Sequence, residues 1–574
     1  MGSRTKSTAT RRQRDWRDPR IIASVLFIIV LTVLSYQPIF DVDKQFVNWD
    51  DDDYITEQPL VQSVKGKNIT RMFDTETHVS ANYHPLTMLS LAMDIDRGGQ
   101  TMRPFMQTNL ALHVLNAVFV FIMIYMLFGG SVPMALTVAM LFAVHPMHVE
   151  SVAWASARKD VLYAFFYLLA CISYLRYTTS LSWVSYAVTI VLFVLSCWSK
   201  PMAVTLPVVL LAVDAYLGRM SLTTARPWIE KLPLFGISLY FGVLTFSIQS
   251  STSTGLVDAS TYSLVDRLAF AGYGVLQYAY KLLLPVNMSA FYPYPSELMP
   301  GNVPAFMYVG AGVVLMAIIG TLLAWYRWRT PVWNTIAFGV ALYLITASLV
   351  LQVISVGGAS MADRYTYIPY LGFFILLGLG VHHIAARVRS ASTVLVSVAA
   401  VGVFLGLLTA DRIRVWENSE TLWTGVIDQY PYEFSNVGGN DVVIKRGALY
   451  AYSNRGIHYI KTNQLEKGAA DLAVLSRAKV THPDSYRAYG VVLQRLSRHA
   501  EAINAFSTAI AQGDVDYQVY RARGASYSLS GQPELALADY AVALRKQPGD
   551  QLTLQAVREA QAMMQARQAA IIAP

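Results

Sequence analysis

The apolar stretch IIASVLFIIVLTVLSYQPIF, residues 21–40, decides the class of fold. It is as long as a helix must be to cross a bilayer, about 20 residues. The basic segment RTKSTATRRQRDWRDPR precedes it, and no small-residue cleavage site follows it. We therefore predict a first transmembrane helix rather than a cleaved signal peptide, with residues 1–20 as a basic cytosolic N-terminus.

The composition agrees with a membrane protein. Of the 574 residues, 54% are hydrophobic and only 14% are charged, and the mean hydropathy is +0.38. These values exclude an ordinary soluble domain. The net charge of +8 does not indicate nucleic-acid binding, because Lys and Arg lie mostly in short clusters between apolar runs, as in cytosolic loops.

Further apolar runs of about the length that a bilayer requires follow the first one. With it they number eleven, at 21–40, 106–128, 132–147, 160–177, 183–199, 202–217, 232–249, 303–325, 332–352, 367–386 and 391–410. The sequence thus predicts an all-α protein with a polytopic helical membrane domain over 21–410 and a large first external loop at 41–105.

Charge indicates how these runs are oriented. If the N-terminus is cytosolic, the even-numbered connections between spans carry RYTTS, GRMSLTTARPWIEK, RWRT and ARVRS, so that nearly all of these connections are basic. The segment 264–285 is long enough to cross but contains Asp266, Arg267 and Lys281. If it crossed, RWRT and ARVRS would lie outside, so we predict an amphipathic or re-entrant helix on the non-cytosolic side.

A repeat with a fixed period follows the apolar part of the chain. Gly456, Gly490 and Gly524 are spaced 34 residues apart, and small and aromatic residues recur around them. This period is typical of tetratricopeptide repeats, in which small residues let two antiparallel helices approach. We predict a linker with the first helices at 411–448, three repeats at 449–550 and a capping helix at 551–574. An odd number of spans would place this solenoid outside the cytosol.

The first external loop contains FVNWDDDDY, residues 46–54, with four consecutive carboxylates. Such a run belongs at the interface or in a water-filled cavity, because carboxylates at bilayer depth are costly. A carboxylate facing a cavity is suited to act as a general base or to bind a cation. We favour such a role for Asp50 and Asp51, whereas Asp52 and Asp53 fit a solvated loop better.

The second external loop, HPMHVESVAWASARKD at 145–160, is rich in histidine and charged side chains. An Arg-Lys pair near a membrane surface is suited to phosphate, although interfacial anchoring is the simpler alternative. The His and Glu residues could ligate a metal, but a hydrogen-bonded network is the better interpretation. The candidates are His145, His148, Glu150, Arg158, Lys159 and Asp160.

Other polar clusters fall on the same predicted side. They occur in WSKPMAVT, AFYPYP and MADRYTYIPY and contribute Lys200, Tyr292, Tyr294, Arg364 and Tyr365. Each alone is consistent with an interfacial aromatic belt and its anchoring cations. Together with the acidic loop they indicate one site, with carboxylates for a nucleophile, cations for a lipid-linked phosphate and aromatic rings for sugars.

The ordered motifs FVNWDD, YHPLT, HPMHVESVAWASARKD, KPMAVTLP, FYPYP and MADRYTYIP, followed by tetratricopeptide repeats, closely resemble the transmembrane-and-tetratricopeptide-repeat (TMTC) proteins of the GT-C glycosyltransferase superfamily. The resemblance covers nearly the whole chain. It implies a GT-C-like fold, a protein O-mannosyltransferase-like activity and a lipid-linked sugar phosphate as donor substrate.

The resemblance also implies roles for single residues. Asp50 or Asp51 would be the catalytic base, and Arg158, Lys159, Lys200 and Arg364 would hold the donor phosphate. The chain departs from the common AERKD or GRKD pattern, since it has SARKD here. Supporting or substrate-binding roles would fall to His84, His145, His148, Glu150, Asp160, Tyr292, Tyr294 and Tyr365.

The short repeat array resembles that of a bacterial member. The expected function is therefore that of an inner-membrane glycosyltransferase. It would transfer a sugar to Ser or Thr of a periplasmic or secreted protein with inversion of configuration at the anomeric carbon. No metal ligand set is predicted, although a divalent cation is compatible with the sequence. The alternatives are a membrane-anchored scaffold for secreted or pilus-like proteins, and a lipid-linked sugar transferase acting on a glycan or lipid. Polar clusters on several loops favour an enzyme over a scaffold.

Overall fold

A computed structural model describes residues 16–41, 43–220, 224–251, 262–294, 298, 303–354, 358–388, 391–437, 440–479 and 483–572. Most of the predicted cytosolic N-terminus, residues 1–15, lies outside the described residues. The chain divides into two compact units. The first runs to Leu422, and the second begins at Trp423.

The first unit is built from helices, as the apolar runs predict. The helices before its midpoint are α1 Pro19–Ser35, α2 Gly66–Met72, α3 Pro85–Gly98, α4 Met102–Leu127, α5 Val132–Val144, α6 Val149–Ala153, α7 Arg158–Ser180, α8 Trp183–Ser199 and α9 Leu206–Tyr216. Those that follow are α10 Arg226–Ile229, α11 Leu232–Ser251, α12 Leu264–Leu283, α13 Ala305–Trp328, α14 Pro331–Ala347, α15 Tyr370–Arg387 and α16 Ala391–Ile413.

Each of the eleven predicted spans coincides with an apolar helix or helix pair. Among the described residues, six helices are long and apolar enough to cross a membrane, namely α4, α7, α11, α13, α15 and α16 with their short extensions. The pair α5 and α6 is bent by 53° and makes a seventh if it is one span. The shorter apolar helices are α1, α8, α9 and α14. The prediction of a polytopic helical domain is thereby confirmed.

The segment that the sequence left ambiguous forms helix α12, which is not among the candidate spans. Its N-terminus is capped, because Ser263 and Asp266 exchange side-chain and backbone hydrogen bonds in a capping box. Lys281 near its C-terminus donates to the carbonyl of Asn287 over 2.6 Å. Both charged ends are thus satisfied locally.

The second unit contains the predicted repeats as antiparallel helix pairs. The pairs are α18 Leu449–Lys461 with α19 Leu465–Arg477, α20 Pro483–Arg495 with α21 His499–Ala511, and α22 Tyr517–Leu529 with α23 Pro533–Lys546, followed by α24 Gln551–Ile572. The glycines of the repeat lie where the two helices of a pair meet. A Cβ on Gly490 would be 2.5 Å from the Phe506 ring, and one on Gly524 would be 2.7 Å from the Tyr540 ring. This close approach explains why a glycine recurs at the same position of the repeat.

The region predicted as linker and first helices contains a feature that the sequence analysis missed. Helix α17, Ser419–Gln429, is followed by an antiparallel hairpin of β1 Glu433–Val437 and β2 Asn440–Lys445. Arg477 attaches the hairpin to α19, since its guanidinium donates to Asp441 over 2.7 Å and lies 4.1 Å from the centre of the Phe434 ring. The run VVIK in β2 has the β-branched residues typical of strands.

Candidate active site

The two predicted catalytic carboxylates have different environments. Asp51 is fully buried, and its carboxylate accepts hydrogen bonds from the backbone N–H of Val47 over 2.9 Å and of Ser156 over 3.0 Å. The hydroxyl of Ser156 also donates to it. Burial raises the pKa of Asp51 to about 6, although these hydrogen bonds oppose the shift. Asp51 therefore joins the first polar loop to the second.

Asp50 is the accessible member of the pair. Its side chain is 27% exposed, and Lys159 donates to its Oδ2 over 3.3 Å. Asp51 is followed by a single π-helical turn, Asp52–Thr56, which begins where the two carboxylates diverge. Of the two, Asp50 is placed to meet a substrate.

Lys159 lies over an aromatic ring that the sequence analysis did not single out. Its Nζ is 4.4 Å from the centre of the buried Tyr54 ring, a cation–π distance. Tyr54 stacks in turn on His84, with 5.1 Å between ring centroids. Tyr54 closes the quoted acidic stretch, so its position beside the carboxylates was the signal available in the sequence.

His84 is a buried, neutral imidazole. It is 3% exposed, and its Nε2 has no hydrogen-bond partner among the described residues. Burial lowers its pKa to about 3, and the nearby Lys159 and Lys200 add to that effect. The predicted supporting role of His84 is consistent with its place beside both lysines, and a neutral imidazole can act there only as a hydrogen-bonding group.

Lys200 and Asp160 form an ion pair. The pair joins the turn after α8 to the start of α7. The second carboxylate oxygen of Asp160 is buried and has no partner within the described part of the chain. Burial lowers the pKa of Lys200, Asp160 opposes this, and the neighbouring cations Lys159 and Arg364 add to it.

Arg364 is bound twice by one carboxylate. Its backbone N–H donates to Oε2 of Glu150 over 3.0 Å, and its guanidinium donates to Oε1 of the same residue. The guanidinium also lies 5.3 Å from the centre of the Trp49 ring and 5.4 Å from that of Trp154. The two Trp rings stack on each other at 5.0 Å. Both tryptophans belong to sequence motifs, FVNWDD and HPMHVESVAWASARKD, but the sequence predicted no role for them.

Lys159, Lys200 and Arg364 converge on one place. Arg364 acts to lower the pKa of Lys159, and Lys159 and Arg364 both act to lower the pKa of Lys200. The side chains of Lys159, Lys200 and Arg364 are 12%, 12% and 14% exposed. Three mutually repelling cations with partly accessible faces are suited to bind a phosphate. The predicted convergence of the first, second and later polar loops is thus observed.

Arg158 is positioned for a different purpose from the predicted one. Its side chain has no exposed surface and pairs with Asp94. Its other N–H groups donate to Asn109, to Ser90 and, over 3.0 Å, to the carbonyl of Phe105. With its donors engaged inside the protein, Arg158 has none to offer a phosphate. We therefore correct the predicted donor-binding role of Arg158 to a structural one.

The two histidines of the second loop are held by backbone groups. His145 Nε2 bonds to the carbonyl of Leu282 over 3.0 Å, and its Nδ1 accepts from the backbone N–H of Met147. His148 Nδ1 bonds to the carbonyl of Phe142 over 2.8 Å. Within the described residues, no three His, Cys, Asp or Glu side chains are grouped so that they could share a metal ion.

The predicted aromatic residues divide into two groups. The hydroxyl of Tyr292 donates to Asp363 over 2.6 Å, and that of Tyr294 donates to Gln352 over 3.0 Å. Both rings are buried, so their contacts fix the loop around them. Tyr365 instead lies beside the cation cluster, with its ring centre 5.0 Å from the Arg364 guanidinium.

An apolar groove of about 500 Å³ begins close to Lys200 along the chain. It is open on one side and is lined by α11 and by Val204, which lies in the short 3-10 turn Pro201–Thr205 that begins after Lys200. The residues from α11 are Phe235, Ser238, Leu239, Gly242, Val243 and Phe246.

The fold and this cluster define a multi-pass helical membrane protein with a polar site built from the loops between its spans and a tetratricopeptide-repeat unit at its C-terminal end. Among known proteins, the chain is similar to the protein O-mannosyl-transferase Tmtc1 of Drosophila melanogaster, with 24% identity over 515 residues. That alignment covers 75% of this chain and 59% of the fly protein. The chain is also similar to the protein O-mannosyl-transferase TMTC3 of Mus musculus, with 23% identity over 85% of this chain and 54% of the mouse protein.

These similarities confirm the resemblance to TMTC proteins that the motifs indicate. The chain spans between about half and three fifths of the length of these two relatives. No family model matches it.

Two solved structures also align with the chain. ArnT from Cupriavidus metallidurans bound to undecaprenyl phosphate has a TM-score of 0.33 and 13% identity, and covers 90% of this chain and 79% of its own. The APC/C hetero-tetramer Cut9-Hcn1 has a TM-score of 0.22 and 11% identity, and covers 84% of this chain and 90% of its own. Both TM-scores are too low to support a conclusion about this chain.

Proposed function

We propose that this protein is a membrane glycosyltransferase. It moves a sugar from a polyprenyl-phosphate donor to Ser or Thr hydroxyls of a periplasmic or secreted protein and inverts the anomeric carbon. The observation that carries this proposal is the accessible carboxylate of Asp50 next to the partly accessible cations Lys159, Lys200 and Arg364. The similarity to protein O-mannosyl-transferases supports it.

The reaction needs a base on one side of the sugar carbon and cations on the other. Asp50 accepts the proton of the acceptor hydroxyl, whose oxygen forms a bond to the anomeric carbon. The bond from that carbon to the phosphate oxygen breaks, and its electron pair stays with the phosphate. Lys159, Lys200 and Arg364 then stabilise the added negative charge.

Asp51 takes no part in proton transfer in this mechanism. Its carboxylate accepts three hydrogen bonds, one from the backbone N–H of Val47 and two from Ser156, and has no exposed surface. Its function is to hold Asp50 and the second polar loop in register. The accessible carboxylate of the pair is therefore the base that we assign.

Both substrates have a proposed binding region. The polyprenyl chain of the donor would lie in the apolar groove that follows Lys200, since the groove is apolar and open on one side. The tetratricopeptide repeats would recruit the acceptor protein, as helical solenoids present extended binding surfaces. We place the protein in a bacterial inner membrane because its short repeat array resembles that of a bacterial member. The odd number of predicted spans then puts the repeats in the periplasm.

Intact-mass spectrometry of the secreted and periplasmic proteins tests this function. The proteins of cells that lack the gene are compared with those of cells that contain it. In the cells that lack the gene, at least one protein is expected to be lighter by the mass of a hexose or more. If the protein masses stay the same while a surface glycan or lipid changes, the acceptor is not a protein and the proposal is wrong.

A further inference from the structure

Lys159 is the most weakly paired of the three cations in the site. Lys200 and Arg364 each make a close contact with a buried carboxylate, and Arg364 is bound at two points by Glu150. Lys159 contacts Asp50 through one hydrogen bond of 3.3 Å, and Asp50 is itself 27% exposed. Of the three ion pairs, this one is the easiest for an anion to displace.

Asp50 depends on Lys159 for its pairing. Among the described residues, the Lys159 ammonium is the one side-chain partner of the Asp50 carboxylate. A lysine that leaves Asp50 therefore leaves a carboxylate without a counter-ion, facing accessible space. The Oδ2 oxygen that accepts from Lys159 is then open to accept the proton of a hydroxyl group.

We propose that Lys159 holds Asp50 until the donor arrives and then passes to the donor's phosphate, so that donor binding frees Asp50 to act as the base. This inference rests on the proposed function and adds an order to it, with the donor bound before the acceptor is deprotonated. The ammonium group of a lysine has three donors on a flexible stem and lacks the rigid planar fork of an arginine. The Lys159 ammonium lies over the Tyr54 ring, so it can make this exchange over a short distance.

The movement of charge during the reaction agrees with this exchange. When the bond between the anomeric carbon and the phosphate oxygen breaks, the electron pair gives the phosphate a second negative charge. At the same step Asp50 takes up the hydroxyl proton and becomes neutral. The ammonium of Lys159 is then needed at the phosphate and no longer at Asp50, so the exchange follows the charge.

Binding of a polyprenyl phosphate without a sugar tests the inference on the full-length protein in detergent. In Asp50→Asn, Lys159 has no competing carboxylate, so the affinity is expected to rise about tenfold. The matched control is Asp53→Asn, which removes the same charge from an exposed residue that accepts from Ser80 rather than from Lys159. Its affinity is expected to stay within about twofold of the wild type. In the double variant Asp50→Asn with Lys159→Gln, the gain of the single Asp50 variant is expected to disappear.

The outcomes are distinct. If Asp50→Asn binds no tighter than the wild type, or if Asp53→Asn tightens binding equally, Lys159 is not shared between carboxylate and phosphate and the inference is wrong. A gain that persists in the double variant also overturns it. If neither wild type nor variants bind polyprenyl phosphate, the proposed donor class itself fails, and the inference fails with it.

Discussion

At the scale of single residues, Asp50 and Asp51 show how far the sequence can assign a site. The sequence identified both carboxylates as candidates but could not separate them, because their difference arises from contacts remote in the chain. Ser156 donates a hydrogen bond to the buried Asp51, whereas Lys159 donates one to the partly exposed Asp50. The same holds for Arg158, whose partner Asp94 lies 64 residues away. Residue types were predictable here, and pairing was not.

The raised pKa of Asp51 predicts how stability depends on pH. Asp51 has a pKa of about 6 in the folded protein, above the usual value of 3.8 for an aspartate, so folding favours its neutral form. This contribution to stability is fully present below about pH 4 and is lost as the pH rises to about 6. In Asp51→Asn the group cannot ionise. As the pH rises from about 4 to about 6, the Tm of the wild type should therefore fall relative to the Tm of the variant.

Thermal unfolding of the purified protein in detergent at several pH values measures this difference. Asp53→Asn serves as the control, because Asp53 is exposed and no such trend is expected for it. A difference in Tm between wild type and Asp51→Asn that stays constant from pH 4 to pH 7 contradicts the account of Asp51.

At the scale of elements, periodicity predicted the helices and missed the hairpin. The apolar runs and the 34-residue repeat gave the helices of both units, since length and spacing determine them. The hairpin Glu433–Lys445 lies in a polar stretch without long periodicity, and its attachment depends on Arg477, which is distant in sequence. A β-branched run was the available signal, and it was too short to outweigh the helical surroundings.

The close helix approach in the second unit predicts the effect of a single methyl group. A Cβ on Gly490 would lie 2.5 Å from a carbon of the Phe506 ring, so in Gly490→Ala either that ring or the packing of α20 on α21 must shift. The expected cost is about 1–3 kcal/mol, typical of overpacking. Hydrogen exchange of peptides from these two helices should become faster.

Gly549→Ala is the matched control, because a Cβ there has no atom within 4 Å. Its exchange should equal that of the wild type. Unchanged exchange in Gly490→Ala would show that the glycine is not required for packing, and that its recurrence in the repeat has another cause.

At the scale of the whole molecule, the sequence predicted that separate loops would converge, and they do. It could do so because spans of fixed length return alternate loops to the same side of a membrane. What it could not supply was the partner of each charge, since three acids and three cations can pair in several ways. The pairs Asp50 with Lys159, Asp160 with Lys200 and Glu150 with Arg364 come from the structure.

The predicted topology can be tested by cysteine labelling. Cys171 and Cys197 are both buried, which keeps the background low. Thr179→Cys lies in a connection predicted to be cytosolic, and Ser530→Cys lies on an exposed part of the repeats. A membrane-impermeant maleimide added to the outside of sealed cells stripped of any outer envelope should label Ser530→Cys and leave Thr179→Cys unlabelled. Labelling of both, or of Thr179→Cys alone, contradicts the topology.

We propose that Asp50 is the base of a sugar transfer from a lipid phosphate to a protein. The test measures the rate at which the purified protein transfers sugar from a polyprenyl-phosphate sugar to an acceptor protein. The acceptor is a protein whose mass falls when the gene is deleted. Asp50→Asn should lower the rate by at least about a hundredfold, in the range typical of a lost general base. Asp53→Asn should leave the rate near that of the wild type. Transfer by Asp50→Asn at the wild-type rate would show that Asp50 is not the base.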